Sequence, residues 1–166
     1  MRLLVCGGAG FMGSHFIKYI LNNYPEYKVI NFDLLTYAGN LNNLKDVENN
    51  SQYTFVQGDI ADYAAVEKVV KENNIDVIVN YAAETHVDRS IMDPEAFLRT
   101  AIFGVYNLLE VTRTNNLQKL IQVSTDEVFG SIEQGEFTEE SSFAPNSPYA
   151  ASKAGADLLC RSYFVT

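Results

Sequence analysis

The stretch Leu3-Leu4-Val5-Cys6-Gly7-Gly8-Ala9-Gly10-Phe11-Met12-Gly13 decides the fold. The apolar run from Leu3 to Cys6 reads as a buried strand, and Phe11 to Asn22 as a helix whose Phe16, Ile17, Ile20 and Leu21 turn inward. Between them the glycines satisfy G-x-G-x-x-G from Gly8 and G-x-x-G-x-x-G from Gly7. Strand, glycine turn and helix in this order let the backbone turn tightly, approach a pyrophosphate and pack the helix on the sheet. The positive end of the helix then faces the phosphates. Gly7, Gly10, Phe11, Met12 and Gly13 are therefore the expected dinucleotide contacts. Asp33 lies 20 residues beyond Gly13, at the end of a second apolar run from Lys28 to Phe32. A carboxylate there suits the adenosine ribose hydroxyls; because Leu34 rather than a cation follows it, NAD is favoured over NADP.

Outward from this stretch, short apolar runs alternate with helical patterns. Tyr53 to Val56, Val77 to Tyr81 and Lys119 to Ser124 read as strands. Asp62 can cap a helix running to about Asn73, Asp93-Pro94 opens a long helix to Thr114 with Pro at its first position, and Pro148 starts another. Residues 130–147, rich in Gly, Ser, Glu and Pro, read as loop. The alternation predicts an α/β fold, a Rossmann-type doubly wound parallel sheet. With 166 residues, 47% of them hydrophobic, the chain is expected to form one globular domain, too short for a second. A net charge of -9 counts against nucleic acid and anionic membrane as partners. Cys6 and Cys160 lie in apolar patterns and read as two buried thiols rather than a disulfide framework. The apolar stretch before Gly7 is too short for a signal peptide or a spanning helix, so a cytoplasmic location is expected. His15 and His86 have no metal-ligand companions at suitable spacing, and no metal is expected.

Several residues then gather at the carboxyl ends of the expected strands, where open α/β sheets bind ligands. Asp59-Ile60 follows the third, and Tyr81-Ala82-Ala83 ends the fourth, its small alanines letting a cofactor lie near the backbone. Thr125-Asp126-Glu127 follows the fifth. Tyr149 and Lys153 are four apart and share a helix face, where an ammonium favours a neighbouring phenolate. A phenolate is a base for a sugar hydroxyl. The two adjacent acids add a second acid/base capability that simple alcohol oxidation does not need. Singly, the acid pair reads as a solvated loop in a chain with 21 acidic residues, and the Tyr/Lys pair as a half-buried tyrosine beside an exposed lysine. Their joint occurrence after a dinucleotide fingerprint carries the catalytic reading.

These residues resemble the extended short-chain dehydrogenase/reductase superfamily, and within it the nucleotide-sugar dehydratases of the dTDP-glucose 4,6 type. The likeness rests on Gly7 to Gly13, Asp33 to Leu41, Ala82 to Ser90, Ser124 to Gly130 and Ser147 to Lys153. The glycines and Tyr-x-x-x-Lys mark only the superfamily, whereas Thr-Asp-Glu before Val-Phe-Gly, with His-Val-Asp-Arg-Ser, marks the dehydratases. The resemblance implies NAD contacts that also include Leu34, Thr36, Asp59, Ile60, Tyr81, Ala82, Ala83, Thr100, Ser124, Tyr149 and Lys153. It implies a nucleotide-sugar substrate touched by Thr85, His86, Thr125, Asp126 and Glu127. In the implied cycle Tyr149, its pKa lowered by Lys153, takes the proton of the glucose 4-hydroxyl as hydride passes from C4 to NAD. Glu127 then removes the C5 hydrogen, Asp126 protonates the departing C6 hydroxyl, and hydride returns to C6. Opposite protonation states for two adjacent acids require unlike surroundings, so Asp126 is expected to be the more desolvated.

The chain also departs from the family pattern. Cys6 stands for the usual Thr, Phe129 for the usual Tyr, and Ala101 for an Asn that supports the water structure near the active-site lysine. Family members continue into a C-terminal substrate lobe, so the expectation is an NAD-binding portion, with that lobe absent, that binds substrate weakly and turns over slowly alone. Phe97, Ala101, Val105, Leu108 and Val111 are spaced as the core face of their helix, and Leu158 and Leu159 are expected to be core on theirs. The resemblance implies a homodimer through the 94–114 and 148–164 helices. Three classes stay open: dehydratase, another nucleotide-sugar enzyme such as an epimerase or decarboxylase, and a non-catalytic NAD-binding module.

Overall fold

The computed structural model describes residues 1–166, which form two compact units, Met1–Ala82 with Asn107–Val123, and Ala83–Tyr106 with Ser124–Thr166. The first unit is built on five strands, β1 (Arg2–Cys6), β2 (Lys28–Asp33), β3 (Tyr53–Gln57), β4 (Val77–Asn80) and β5 (Lys119–Gln122). All neighbours are parallel and the order is β3-β2-β1-β4-β5. Side chains alternate along each strand and so divide between two cores. Leu4, Cys6, Ile30, Phe32 and Ile78 point to one face, covered by Val66, Val69 and Val70 of α2 (Tyr63–Asn73) with Leu108 and Val111. Leu3, Val5, Val29, Val77 and Val79 point to the other, covered by Ile17, Ile20 and Leu21 of α1 (Phe11–Asn23) and by Leu44 and Val47. The doubly wound parallel sheet expected from the sequence is therefore present, with the three central strands β2, β1 and β4 buried on both sides and the edge strands β3 and β5 partly exposed. Phe16 packs at the margin of its core rather than within it.

Local signals act where the sequence places them. Asp62 caps α2 by accepting from the Ala65 N–H at 3.1 Å, an arrangement generally worth about 1 kcal/mol. A 3-10 turn over Leu41–Val47, too short for periodicity to reveal, supplies Leu44 and Val47 to the core. No helix is long and apolar enough to cross a membrane.

The second unit is helical: α3 (Val87–Met92), α4 (Glu95–Leu98), a π-helical segment Arg99–Gly104, a 3-10 turn Asp126–Phe129 and α6 (Pro148–Val165); α5 (Val105–Thr114), into which the π segment leads, belongs from Asn107 on to the first unit. α6 packs against α3, α4, the π segment and the 3-10 turn. Its start is capped by Ser147, whose hydroxyl accepts from the Ala150 N–H at 3.0 Å, with Pro148 in the first turn. Three expectations need correction. The helix expected to run unbroken from Pro94 takes Pro94 as its cap and widens over Arg99–Gly104. Phe97, Ala101 and Val105 repeat every four residues, longer than the 3.6 of an α-helix, and the wider turn absorbs the mismatch. Cys160 is only partly buried, unlike the fully enclosed Cys6. Leu158 is 55% exposed rather than core, because the buried face of α6 is confined to Ala150–Ala156.

Leu108, fully enclosed, should lose about 2–5 kcal/mol of stability as Leu108→Ala, whereas Met92→Ala, at an exposed position, should stay within about 0.5 kcal/mol. Urea denaturation followed by circular dichroism measures both.

Candidate active site

In the first unit the sheet changes direction between β1 and β4, the point in such folds where a crevice opens at the carboxyl ends of the strands. Gly7 sits there with φ +73°, and a Cβ on it would lie 2.5 Å from the Ala82 nitrogen and 2.7 Å from its Cα. Tyr81 N–H donates to the Cys6 carbonyl at 2.8 Å and Ala82 N–H to Asn80 Oδ1 at 3.0 Å, which ties the two turns. Gly13 is equally constrained from within, its Cβ position lying 2.4 Å from the Gly7 oxygen. Gly10 differs. A Cβ there would approach only the Gly7 oxygen, at 3.3 Å, so the protein itself does not demand glycine. Gly10 is also the N-cap of α1, which has no side-chain cap and no acidic residue in its first turn, and Phe11 and Met12 beside it are exposed. An open glycine on an uncompensated helix start fits the approach of a phosphate.

Asp33, buried at the end of β2, accepts from the Ala9 N–H at 2.9 Å and the Leu35 N–H at 2.8 Å. Two amides leave further lone pairs on a carboxylate for hydroxyl donors. Leu34 and Thr36 are exposed next to it. After β3, Asp59 caps its own turn, accepting from the Ala61 N–H at 2.8 Å, and Ile60 is buried with its carbonyl taken by Asn107 at 3.0 Å. These two read structurally as turn and core as much as ligand contacts. Burial raises the Tyr81 pKa, and its ring packs on Phe16 at 5.5 Å.

The second unit brings the acid/base candidates together. Thr125 caps the 3-10 turn, its hydroxyl 3.4 Å from both Asp126 Oδ1 and the Glu127 N–H. The same Thr125 is hydrogen-bonded to the Tyr149 phenol, and the carboxylates of Glu127 and Asp126 act on that phenol electrostatically. Phe97 meets the Tyr149 ring edge-on at 6.3 Å. Lys153, 5% exposed, lies one turn further along α6. Thr100 is half-buried in the π segment, Ala83 half-buried at the start of the unit, and Thr85 and His86 are exposed ahead of α3. No group of three or more His, Cys, Asp or Glu side chains is placed to hold a metal ion.

Two expectations about proton affinity differ from what the surroundings dictate. The Tyr149 pKa is raised, first by burial and further by Glu127 and Asp126, with only the Thr125 hydrogen bond opposing. Helix spacing to Lys153 does not by itself make a phenolate. Asp126, expected to be the more desolvated of the two acids, is exposed, and so is Glu127. The turn they begin has three residues per revolution and buries Val128, which leaves the preceding two facing outward. Sequence reasoning missed Asp157. It lies four residues beyond Lys153, accepts a hydrogen bond from the exposed Ser124 hydroxyl, and interacts electrostatically with Lys153. The Lys-x-x-x-Asp spacing was the available signal. An aromatic set, Phe129 with Phe137 at 5.5 Å and Phe143 at 5.6 Å, anchors the loop after the 3-10 turn.

Residues 4–166 match the family model described as GDP-mannose 4,6 dehydratase. The chain belongs to the extended short-chain dehydrogenase/reductase family. Within that family it is 48% identical to the low-salt glycan biosynthesis protein Agl12 of Haloferax volcanii, covering 98% of this chain and 52% of that one. It is 45% identical to the dTDP-glucose 4,6-dehydratase of Xanthomonas campestris pv. campestris, over 98% and 49%. The crystal structure of DesIV, a dTDP-glucose 4,6-dehydratase from Streptomyces venezuelae with NAD and TYD bound, superposes with a TM-score of 0.95 at 48% identity. It covers 100% of this chain and 52% of that one. The chain thus spans about half the length of the family relatives it matches.

Gly7→Ala should lower stability by more than about 1 kcal/mol, because the alanine must hold a left-handed φ against the Ala82 backbone. Gly10→Ala should keep most of it, and thermal unfolding of the two variants reads the difference.

Proposed function

We propose that this chain carries the NAD-binding and acid/base portion of a nucleotide-sugar 4,6-dehydratase, converting dTDP-glucose to its 4-keto-6-deoxy form. The observation that carries the reading is the convergence of Thr125, Asp126 and Glu127 on the Tyr149 phenol within one unit. Epimerases of this fold need only the Tyr and Lys, so two carboxylates acting on the phenol favour a reaction that eliminates water. Substrate-lobe residues belong, on this reading, to the part of the family relatives that the chain does not span.

The glycines fit NAD. Gly7, Gly10 and Gly13 with the start of α1 would hold the pyrophosphate, and Asp33 the adenosine ribose. When bound, the cofactor supplies a hydride acceptor that is restored within each turnover. The chain's own groups do the rest. Tyr149, once deprotonated to the phenolate, takes the 4-hydroxyl proton onto its oxygen and becomes the neutral phenol, with Thr125 directing the hydroxyl by hydrogen bonding. The ketone formed at C4 acidifies C5–H, whose proton Glu127 accepts, and Asp126 gives its proton to the C6 hydroxyl, which leaves as water. Because both acids are exposed here, the difference in protonation between them arises when the sugar packs over them and excludes water.

Incubation with dTDP-glucose and NAD should yield the alkaline absorbance of a 4-keto-6-deoxy sugar, abolished in Tyr149→Phe and at least about 100-fold weaker in Glu127→Gln. Calorimetric titration should show NAD uptake that Gly10→Ala weakens about 10-fold or more. An epimerised sugar with no keto product points to an epimerase, and cofactor uptake without any product to a non-catalytic module.

The helices that carry the site also expose apolar side chains. Leu98, Phe103, Tyr106 and Leu158 are 46%, 62%, 44% and 55% exposed, consistent with a homodimer through the 94–114 and 148–164 helices. Light scattering at micromolar concentration should give twice the chain mass, and Phe103→Glu with Leu158→Glu should return it to the monomer value.

A further inference from the structure

Lys153 is buried on a face of α6 formed otherwise by Ala150, Ser152, Ala154 and Ala156. Small residues let α6 approach its neighbours closely: a Cβ on Gly155 would lie 2.5 Å from Ile102 of the π segment. An ammonium enclosed in this way requires a compensating charge. Asp157 lies on the same face one turn on, and its carboxylate and the Lys153 ammonium act on each other. Ser124, exposed just before the Thr125-Asp126-Glu127 turn, donates a hydrogen bond to the Asp157 carboxylate and so fixes it from a separate segment. Charged groups on the elements packed against α6, namely Asp88, Arg89, Glu95, Arg99, Asp126 and Glu127, are exposed.

We infer that Asp157, held by Ser124, is a positioning residue that keeps Lys153 protonated and oriented on the catalytic face of α6. The hydroxyl matters because a half-buried carboxylate tends to take up a proton, and the Ser124 bond favours its charged form. The surroundings agree. Burial raises the Asp157 pKa, while Ser124 and Lys153 pull it down; burial lowers the Lys153 pKa, while Asp157 and Cys160 push it up. Loss of the carboxylate removes the largest influence opposing burial, so the lysine gives up its proton at lower pH. The consequence for turnover rests on the dehydratase reading, but the pairing itself does not.

The test follows protons rather than products, so its failure is distinct from failure of that reading. Carbon-13 NMR of the unmodified chain should show the Asp157 carboxyl resonance inflecting again at the alkaline pH where the Lys153 side chain titrates. In Asp157→Asn the Lys153 midpoint should fall by about one pH unit or more, and Asp157→Glu should restore most of it. Ser124→Ala, which leaves both charges in place, should raise the acidic midpoint of Asp157. A carboxyl resonance flat through the lysine titration, or a Lys153 midpoint unchanged in a folded Asp157→Asn, overturns the inference. If Asp157→Asn does not fold, the unmodified chain and Ser124→Ala still decide it.

Discussion

Within the sheet-bearing unit the governing constraint is the backbone contact between Gly7 and Ala82. The turn leaving β1 and the turn leaving β4 meet with no room for a side chain between them. That contact is possible because β1 pairs with β2 on one side and β4 on the other, and both turns leave the sheet at the same end. The helix after β1 covers one face and the helix before β4 covers the other, which is what divides the core in two. A larger residue at position 7 would push the turns apart and move the start of α1, taking Gly10 with it. The place where a phosphate can approach is thus a by-product of how the central strands pack.

The helical unit is governed by electrostatics in a small-residue setting. Burial alone raises the Tyr149 pKa, lowers that of Lys153 and raises that of Asp157; in each case it disfavours the charged form. The opposing influences are specific and few: the Thr125 hydroxyl for the phenol, the Ser124 hydroxyl and the Lys153 charge for Asp157, and Asp157 with Cys160 for Lys153. Ser124 and Thr125 are adjacent in sequence, so one short segment adjusts both ends of the Tyr149 to Asp157 run of α6. Displacing that segment would alter the proton affinities of all three groups together.

What the sequence revealed depended on the length over which a pattern repeats. Strands were legible because short runs rich in apolar, β-branched and aromatic residues, such as Leu3 to Cys6 before Gly7 and Val77 to Val79 before Asn80, leave little alternative in an alternating α/β chain. Asp62 and Ser147-Pro148 were legible because capping is local chemistry. The six-residue α3, the 3-10 turn at Leu41–Val47 and the widened turn at Arg99–Gly104 were not, since each is shorter than the window in which a helical period can be detected. The members of the site were legible by motif, but their proton affinities were not. Tyr149 and Lys153 share a helix face by spacing, whereas the phenol's proton affinity depends first on how much water reaches it, a property of tertiary packing.

Asp157 shows the same limit from the other side. A lysine and an aspartate four apart on a helix usually form a solvated surface pair that contributes little. The spacing at 153 and 157 acquires meaning only because Ala150, Ala154 and Gly155 let α6 settle deeply enough to enclose the lysine. Enclosure gives the pair weight: a buried ammonium without its carboxylate gives up its proton at lower pH. The small residues around Lys153, unremarkable as sequence, are therefore what makes the charge at 157 consequential for the lysine at 153.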